Sequence, residues 1–260
     1  MMSLQDHVIM RWRSSTYGFL GASAIVLGGF EYISAPIEWL WPHALGGSTH
    51  WKGRSSGNCV SLTFDDGPSR YTDTVLDILA ERGVRATFFV MGRQVEKFPQ
   101  TVRRMAAEGH EIGNHTYAFV AKKGAWKLYA PVGIDEVVRT QEAVKKITGT
   151  PPHYFRSPGG QMGRRLWRAV RANKLEVVNG ALPFPDPERD AETQLATVRE
   201  TVRPGAIIIL HDGDDANPES DRPAATLEML PRLFAMLEQS GYSVAPLETL
   251  LYQEECERNL

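Results

Sequence analysis

The sequence predicts an α/β fold in which parallel strands alternate with helices. From residue 58 onward, short apolar runs rich in β-branched and aromatic residues alternate with amphipathic stretches, the pattern of repeated βα units. Glycines at positions 83, 109, 149, 205 and 241 fall just after a predicted helix or before a predicted strand, where a left-handed cap is favoured. About seven repeats favour a closed parallel barrel, with an open doubly wound sheet as the alternative.

Each element follows from its own pattern. The predicted strands cover residues 59–64, 86–90, 111–113, 153–155, 175–178, 206–210 and 242–244. The predicted helices cover residues 72–82, 99–108, 133–147, 163–172, 191–202 and 224–239, where apolar residues recur at helical spacing.

The composition favours one globular domain of catalytic size. The chain has 260 residues, of which 42% are hydrophobic and 23% are charged, an ordinary balance for a packed fold. A net charge of -2 without any Lys/Arg run argues against nucleic acid as a partner. Glycans, lipids or small molecules are better candidates for the binding partner. Cys59 and Cys256 are too few for a disulfide framework, and a single bridge between them stays open.

The N-terminus differs in character from the rest of the chain. Residues 14–30 carry no charge, and Arg11 and Arg13 precede them. This pattern predicts a signal-anchor or signal segment in residues 1–45, with a core helix as the alternative. The positive-inside rule then gives a membrane-anchored protein with its catalytic domain outside the cytoplasm, or a secreted one after cleavage.

Composition also sets the predicted domain boundaries. Residues 46–57 are rich in glycine and serine and are interpreted as a linker. The βα pattern occupies residues 58–251, and residues 252–260 form a C-terminal tail.

Polar residues follow four of the predicted strands. Asp65 and Asp66 end the first strand, and His115, Arg156 and His211 each follow a later one. Adjacent carboxylates repel each other unless one binds a cation and the other holds or takes a proton, although an Asp-Gly-Pro sequence also suits a surface turn. Active sites of parallel barrels lie at the carboxyl ends of the strands. The convergence of these groups there predicts a catalytic site.

Four segments together resemble a known family. They are TFDDG at residues 63–67, GHEIGNHT at 109–116, FRSPGG at 155–160 and PGAIIILHD at 204–212. Over about residues 58–251 the chain resembles the polysaccharide deacetylases of the NodB homology type, carbohydrate esterase family 4. The resemblance implies a distorted (β/α) barrel that hydrolyses N-acetyl or O-acetyl groups on sugars with one divalent metal, commonly zinc.

The resemblance also implies roles for the site residues. Asp65 would be the general base, and Asp66 and His115 would be metal ligands. Arg156 would keep Asp65 ionised and aimed, a task that suits the guanidinium fork. His211 would be the general acid.

A further carboxylate completes the implied set of roles. Asp186 lies at the position of the family's fourth motif and would hold and tune the imidazole of His211. Pro187 stands where the family has a tryptophan, so that this motif departs from the family pattern.

The second and third motifs also depart from the family pattern. Phe119 stands where a second histidine ligand is expected, and Gly159 replaces an aromatic residue. Catalytic zinc ordinarily takes three protein ligands. Three explanations follow: another residue completes the site, the metal is weakly held, or metal has been abandoned. The candidates for a third ligand are His110, His153, Asp212, Asp214 and Asp215.

The predicted substrate is a glycan or glycolipid. The hydrophobic N-terminus and the lost aromatic walls favour removal of an acetyl group from an amino sugar in an envelope polysaccharide or a lipid-linked glycan. Residues 119–131 mix aromatic and lysine side chains and could bind the acceptor or form an ordinary loop. The alternative is a catalytically silent or metal-independent carbohydrate-binding protein, which the retention of Asp65, Arg156 and His211 disfavours.

Overall fold

The computed structural model describes residues 49–54, 57–118, 134–160, 162–180, 190–214, 217 and 219–253. The predicted N-terminal segment 1–45, the whole of the predicted acceptor loop 119–131 and the tail from residue 254 lie outside the described residues. In the described part of the chain, no helix combines the length and the apolar character needed to cross a membrane.

The described strands form one parallel sheet, as the sequence predicts. They are β1 (Thr49–His50), β2 (Cys59–Asp65), β3 (Thr87–Val90), β4 (Glu111–Asn114), β5 (Tyr154–Phe155), β6 (Glu176–Val178), β7 (Ala206–His211) and β8 (Ser243–Val244). Their order is β1-β6-β5-β4-β3-β2-β7, and β8 pairs with the start of β2. Every pairing is parallel.

Helices connect most of these strands. Those described are α1 (Thr72–Glu81), α2 (Gly92–Lys97), α3 (Pro99–Ala107), α4 (Ile134–Thr148), α5 (Arg164–Ala172), α6 (Ala191–Thr201), α7 (Ala224–Gln239) and α8 (Leu247–Tyr252). Each of the longer helices buries one apolar stripe, as α1 does with Val75, Leu76 and Leu79. Such a stripe packs against the sheet and leaves the polar face to water.

Alternate side chains of strand β2 lie on opposite faces of the sheet. Val60, Leu62 and Phe64 belong to the large core that packs on the helices. Successive side chains of a strand point to opposite faces, so that Ser61 and Thr63 face the interior together with Asp65. The interior side of β2 is therefore polar towards its carboxyl end.

The two ends of the strand order approach each other, which curls the sheet into a distorted barrel. The N–H of Gly53, just after β1, donates to the carbonyl of Gly205, just before β7, at 2.7 Å. β1 itself lies inside the predicted linker 46–57, yet it pairs with β6. The linker interpretation is therefore wrong for Thr49–His50, because a two-residue strand is too short to show a periodic pattern. The remaining domain boundaries stay predictions.

Candidate active site

The predicted catalytic groups lie along the carboxyl edge of the sheet. Asp65 is the last residue of β2 and lies directly opposite His211, the last residue of β7. His115 and Arg156 come immediately after β4 and β5, which are neighbours in the sheet. The structure thus brings together four groups that the sequence separates by as much as 146 residues, the difference between positions 65 and 211.

Two of these strand ends have strained backbones. Asp66 and Thr116 adopt positive φ angles of 71° and 70°, a region that side-chain-bearing residues rarely occupy. Lys174 is the one other non-glycine residue with this conformation in the described ranges. Such strain persists where the surrounding structure fixes it, as at functional sites. Asn114 fixes the second turn, because its side-chain oxygen accepts from the N–H of Thr116 at 2.8 Å.

Arg156 holds Asp65, as the family resemblance implies. Its Nη1 donates to Asp65 Oδ1 and to Thr63 Oγ1, both at 2.7 Å. Its Nε and Nη2 donate to the carbonyls of Val178 and Asn179 at 3.1 and 3.3 Å. Since both side chains of the ion pair are buried, the carboxylate has one preferred orientation. The role of Thr63 was not apparent from the sequence.

Asp66 and His115 form a closely spaced pair. His115 Nε2 lies 3.3 Å from Asp66 Oδ1, and His115 Nδ1 lies 2.8 Å from the carbonyl of Arg156. A carbonyl can only accept, so Nδ1 carries the proton and the lone pair of a neutral ring faces the Asp66 carboxylate. That arrangement is unfavourable unless a proton or a metal cation lies between the two groups.

The same geometry tests whether these residues fit the metal of the family. Two ligands of a tetrahedral zinc ion are about 3.3–3.5 Å apart, which matches this pair. The contact from Nδ1 to a backbone carbonyl is the usual support of a metal-binding histidine. Asp66 and His115 therefore fit two ligands of a divalent cation. In the described ranges, no third His, Cys, Asp or Glu joins them.

Asp66 and His115 shift each other's pKa in the direction that favours the charged form of each. Burial alone would raise the pKa of Asp66, but the hydrogen bond and charge of His115, with His211 and Arg222 behind them, hold it below its usual value. Burial alone would lower the pKa of His115, but Asp65 and Asp66 raise it above its ordinary value. The site thus stabilises a carboxylate beside a cation.

Asp212, a candidate third ligand, has a different environment. It is buried, its Oδ2 accepts from Thr72 Oγ1, and its backbone carbonyl accepts from the Ser69 hydroxyl. Burial raises the pKa of Asp212 to about 7. Its carboxylate lies against Gly67, where a Cβ atom would approach Oδ2 to 2.1 Å. Asp212 therefore ties the loop after β7 to the loop after β2, a connection that the sequence does not reveal.

Two other proposed ligands are wrong. His110 comes before β4 and accepts the N–H of Ala86, and His153 comes before β5 and contacts Glu176. Both therefore lie at the amino ends of the strands, on the opposite side of the barrel from Asp66.

The carboxylate of Asp214, another candidate third ligand, is bound by groups outside the Asp66 and His115 pair. It accepts from the backbone of Asn217 and the hydroxyl of Ser220, and pairs with Arg222. Phe119, Asp186, Pro187 and Asp215 lie outside the described residues.

The fold and the site together define a class of protein. A parallel α/β barrel that carries a held carboxylate, an imidazole opposite it and a carboxylate–imidazole pair whose spacing fits two ligands of a cation has the groups of a metal-assisted hydrolase.

Comparisons with known proteins identify the family within this class. The sequence pattern of the polysaccharide deacetylase family matches residues 52–178. A chitooligosaccharide deacetylase from Bradyrhizobium sp. (strain ANU 289) is 33% identical over 205 residues, which cover 75% of this chain and 92% of that protein.

Two solved structures share the fold. A peptidoglycan N-acetylglucosamine deacetylase is 28% identical with a TM-score of 0.68, over 85% of this chain and 99% of that one. A family 4 acetyl xylan esterase from Clostridium thermocellum, solved with a cobalt ion, is 33% identical with a TM-score of 0.61, over 74% and 89% of the two chains. The chain belongs to the polysaccharide deacetylase family, and its predicted class, a carbohydrate deacetylase, is confirmed.

Proposed function

We propose that this protein removes the acetyl group from an N-acetylated amino sugar in an envelope glycan. The relatives support this class of substrate, since two of them are described as deacetylases of chitooligosaccharide and of peptidoglycan. The acetyl xylan esterase makes an O-acetyl group the second candidate. A lipid-linked glycan is a more specific candidate for the substrate, and the hydrophobic N-terminal segment 1–45 supports it.

The observation that carries the proposal is the placement of Asp65. Arg156 holds this carboxylate at 2.7 Å, and His211 lies opposite it across the β2 and β7 pairing. A base and an acid on neighbouring strand ends can act on the two sides of one scissile bond. A protein that only binds sugar has no physical need for this arrangement.

The reaction follows from these positions. Water attacks the acetyl carbon, and Asp65 takes the proton that the water loses. The C–N bond then breaks, and His211 donates a proton to the departing nitrogen. The immediate products are acetic acid and the free amine of the sugar, with Asp65 protonated and His211 neutral. Loss of the Asp65 proton to water and uptake of one proton by His211 restore the site, and the acetic acid ionises in solution, so that atoms and charges balance. Arg156 acts through Asp65 as a positioning residue, because its guanidinium holds the carboxylate in one orientation at 2.7 Å.

Asp66 and His115 would hold the divalent cation, with zinc as the proposed ion. When bound, such a cation lowers the pKa of water and polarises the amide oxygen. Asp66 supplies the negative charge, and the Arg156 carbonyl orients His115 at 2.8 Å. Asp186 is proposed, from the family motif alone, to tune His211.

The proposed location is outside the cytoplasm, anchored by residues 1–45 or secreted. Substrates in cell-wall or envelope glycans require such a location. Cys59 is disulfide-bonded, and disulfides persist in oxidising compartments. Cys256, the other cysteine of the sequence, lies outside the described residues.

The test is acetate release by the full chain from N-acetylglucosamine oligomers, from peptidoglycan and from acetylated xylan. The protein is stripped of metal and then reloaded with zinc, with cobalt or with nothing. We expect release from an N-acetylated substrate, dependent on added metal and abolished by Asp65→Asn. Acetate release by the metal-free protein would contradict the proposal that the enzyme needs a divalent cation. Binding of the oligomers without release under every condition would establish the silent carbohydrate-binding alternative.

A further inference from the structure

A second cavity lies on the side of the barrel opposite the candidate active site. It has a volume of about 490 Å³, within the usual range for small-molecule sites. Its walls come from the start of β4 and β5, the ends of α3 and α4, and helix α8. Because these are the amino ends of the strands, the cavity is separate from the carboxyl edge that carries Asp65.

The cavity is anionic. Glu111 and Glu248 line it, no lysine or arginine among the described residues does, and Tyr252 on its wall donates a hydrogen bond to Glu176. Within the described part of the chain, neither Glu111 nor Glu248 has an ion-pair partner. Glu111 accepts hydrogen bonds from Thr87 and from the N–H groups of Leu247 and Glu248, which lower its pKa, but burial outweighs them and, with the charge of Glu248, raises the pKa above its usual value. A cation in the cavity would offset this repulsion between carboxylates.

A buried donor also faces the cavity. Tyr154 is 5% exposed and lines the wall. Among the described residues its hydroxyl has no hydrogen-bond partner, although the oxygen is not sealed from solvent. Because this hydroxyl is open to the cavity and binds no described group, it is available to donate a hydrogen bond to a polar ligand there.

The walls also determine the shape of a suitable ligand. The tyrosines at 154 and 252 and the prolines at 151 and 152 supply flat apolar surface, while Thr150 and His153 lie beside the carboxylates. Sugar rings combine apolar faces with hydroxyl groups, and aromatic rings with polar tips suit both. An organic ammonium group, which supplies three N–H donors, suits a cavity lined by two carboxylates.

We propose that this amino-end cavity binds a sugar carrying a free primary amine, the chemical form that deacetylation produces. Its ammonium would lie between Glu111 and Glu248, and a hydroxyl would bind Tyr154. The identity of the ligand as reaction product rests on the proposed function, whereas the site itself does not. Such a site would hold the enzyme on a glycan that it has already partly deacetylated.

The experiment is calorimetric titration of the full chain with two probes, tetraglucosamine and tetra-N-acetylglucosamine, in the Asp65→Asn background, which prevents turnover. We expect tetraglucosamine to bind at least about tenfold more tightly than the acetylated probe. Glu248→Gln and Tyr154→Phe, each added to that background, should weaken tetraglucosamine binding by about tenfold each, the loss expected for a hydrogen bond to a charged or buried group. Glu238→Gln removes an exposed carboxylate of α7 and is the matched control.

The outcomes separate this proposal from the proposed function. Tyr154→Phe should keep the melting temperature, because its hydroxyl has no partner to lose. Equal binding of the two probes, an effect of Glu238→Gln as large as that of Glu248→Gln, or no binding of tetraglucosamine would overturn the second site. Absence of acetate release by the unmodified chain, with Glu248-dependent binding intact, would overturn only the deacetylase proposal.

Discussion

At the scale of single residues, the Asp65 and Arg156 pair gives the most direct prediction. Asp65→Asn should lower kcat by about 10²–10⁴-fold, the usual contribution of a general base. Since Arg156 is buried and would lose its charge partner, we also expect a loss of up to about 3–5 kcal/mol in the free energy of unfolding. Acetate release and urea denaturation measure the two effects.

Asp73→Asn is the control for this change. Asp73 is largely exposed and pairs with Arg104 at 3.6 Å, so its loss should cost no more than about 1 kcal/mol. A kcat for Asp65→Asn within tenfold of the unmodified protein would contradict the assignment of Asp65 as base.

His110 gives a prediction about pH. This buried imidazole accepts the N–H of Ala86 at 3.1 Å, and burial lowers its pKa. A base whose pKa is lower in the folded state contributes stability above its unfolded pKa of about 6.5 and loses it as the pH falls. His110→Gln should therefore show a smaller drop in the free energy of unfolding between pH 7.5 and 5.0. An unchanged drop in urea denaturation would contradict this role.

Sequence patterns could predict the chemically active residues but not their supports. Asp65, Arg156 and His211 follow strands, so the parallel fold brings them together once the strands are recognised. Thr63 and Asp212 contribute through contacts that join distant parts of the chain. No periodicity records such contacts, because each depends on the packing of two separate loops.

At the scale of elements, the loop after β2 gives a second mutational prediction. Gly67 lies against the buried carboxylate of Asp212, which Thr72 holds in place, and an added Cβ would meet Oδ2 at 2.1 Å. Gly67→Ala should displace the loop that carries Asp65 and Asp66. We expect a loss of about 1–3 kcal/mol in stability, as for other overpacked sites, together with a fall in kcat.

Gly163→Ala is the matched control. Gly163 has ordinary backbone angles and no atom near the position of an added Cβ, so we expect a change of less than about 1 kcal/mol in urea denaturation. Full activity and stability in Gly67→Ala would show that the contact between the two loops is not needed.

The longer elements match their predictions because periodicity is clear over several turns. Helix α7 has the predicted bounds, and α4 differs from its prediction by one residue at each end. Strand β1 and helices α2 and α8 were not predicted, and they have two to six residues each. They are too short for a periodic signal and form through tertiary contacts, as when Glu111 accepts the N–H groups of Leu247 and Glu248 at the start of α8.

At the scale of the whole molecule, the two ends of the barrel have different tasks. The carboxyl edge holds strained turns and buried charge around Asp66 and His115. The amino end holds β1 and α8 together through Glu176, which contacts both His50 and Tyr252. Glu176 therefore contributes to closure of the barrel at its amino end.

The last prediction tests this closure with two shortened chains, one starting at residue 46 and one at residue 58. The first keeps β1, whereas the second begins where the predicted domain begins and lacks it. Without β1, β6 loses its parallel partner, the 2.7 Å pair between His50 and Glu176 disappears, and the bond from Gly53 to Gly205 is lost. At about 1 kcal/mol for each lost hydrogen bond and 2–4 °C for each kcal/mol, the chain from residue 58 should melt about 5–10 °C lower. Equal melting temperatures in thermal denaturation would show that β1 and the contacts of residues 49–54 add nothing measurable to stability.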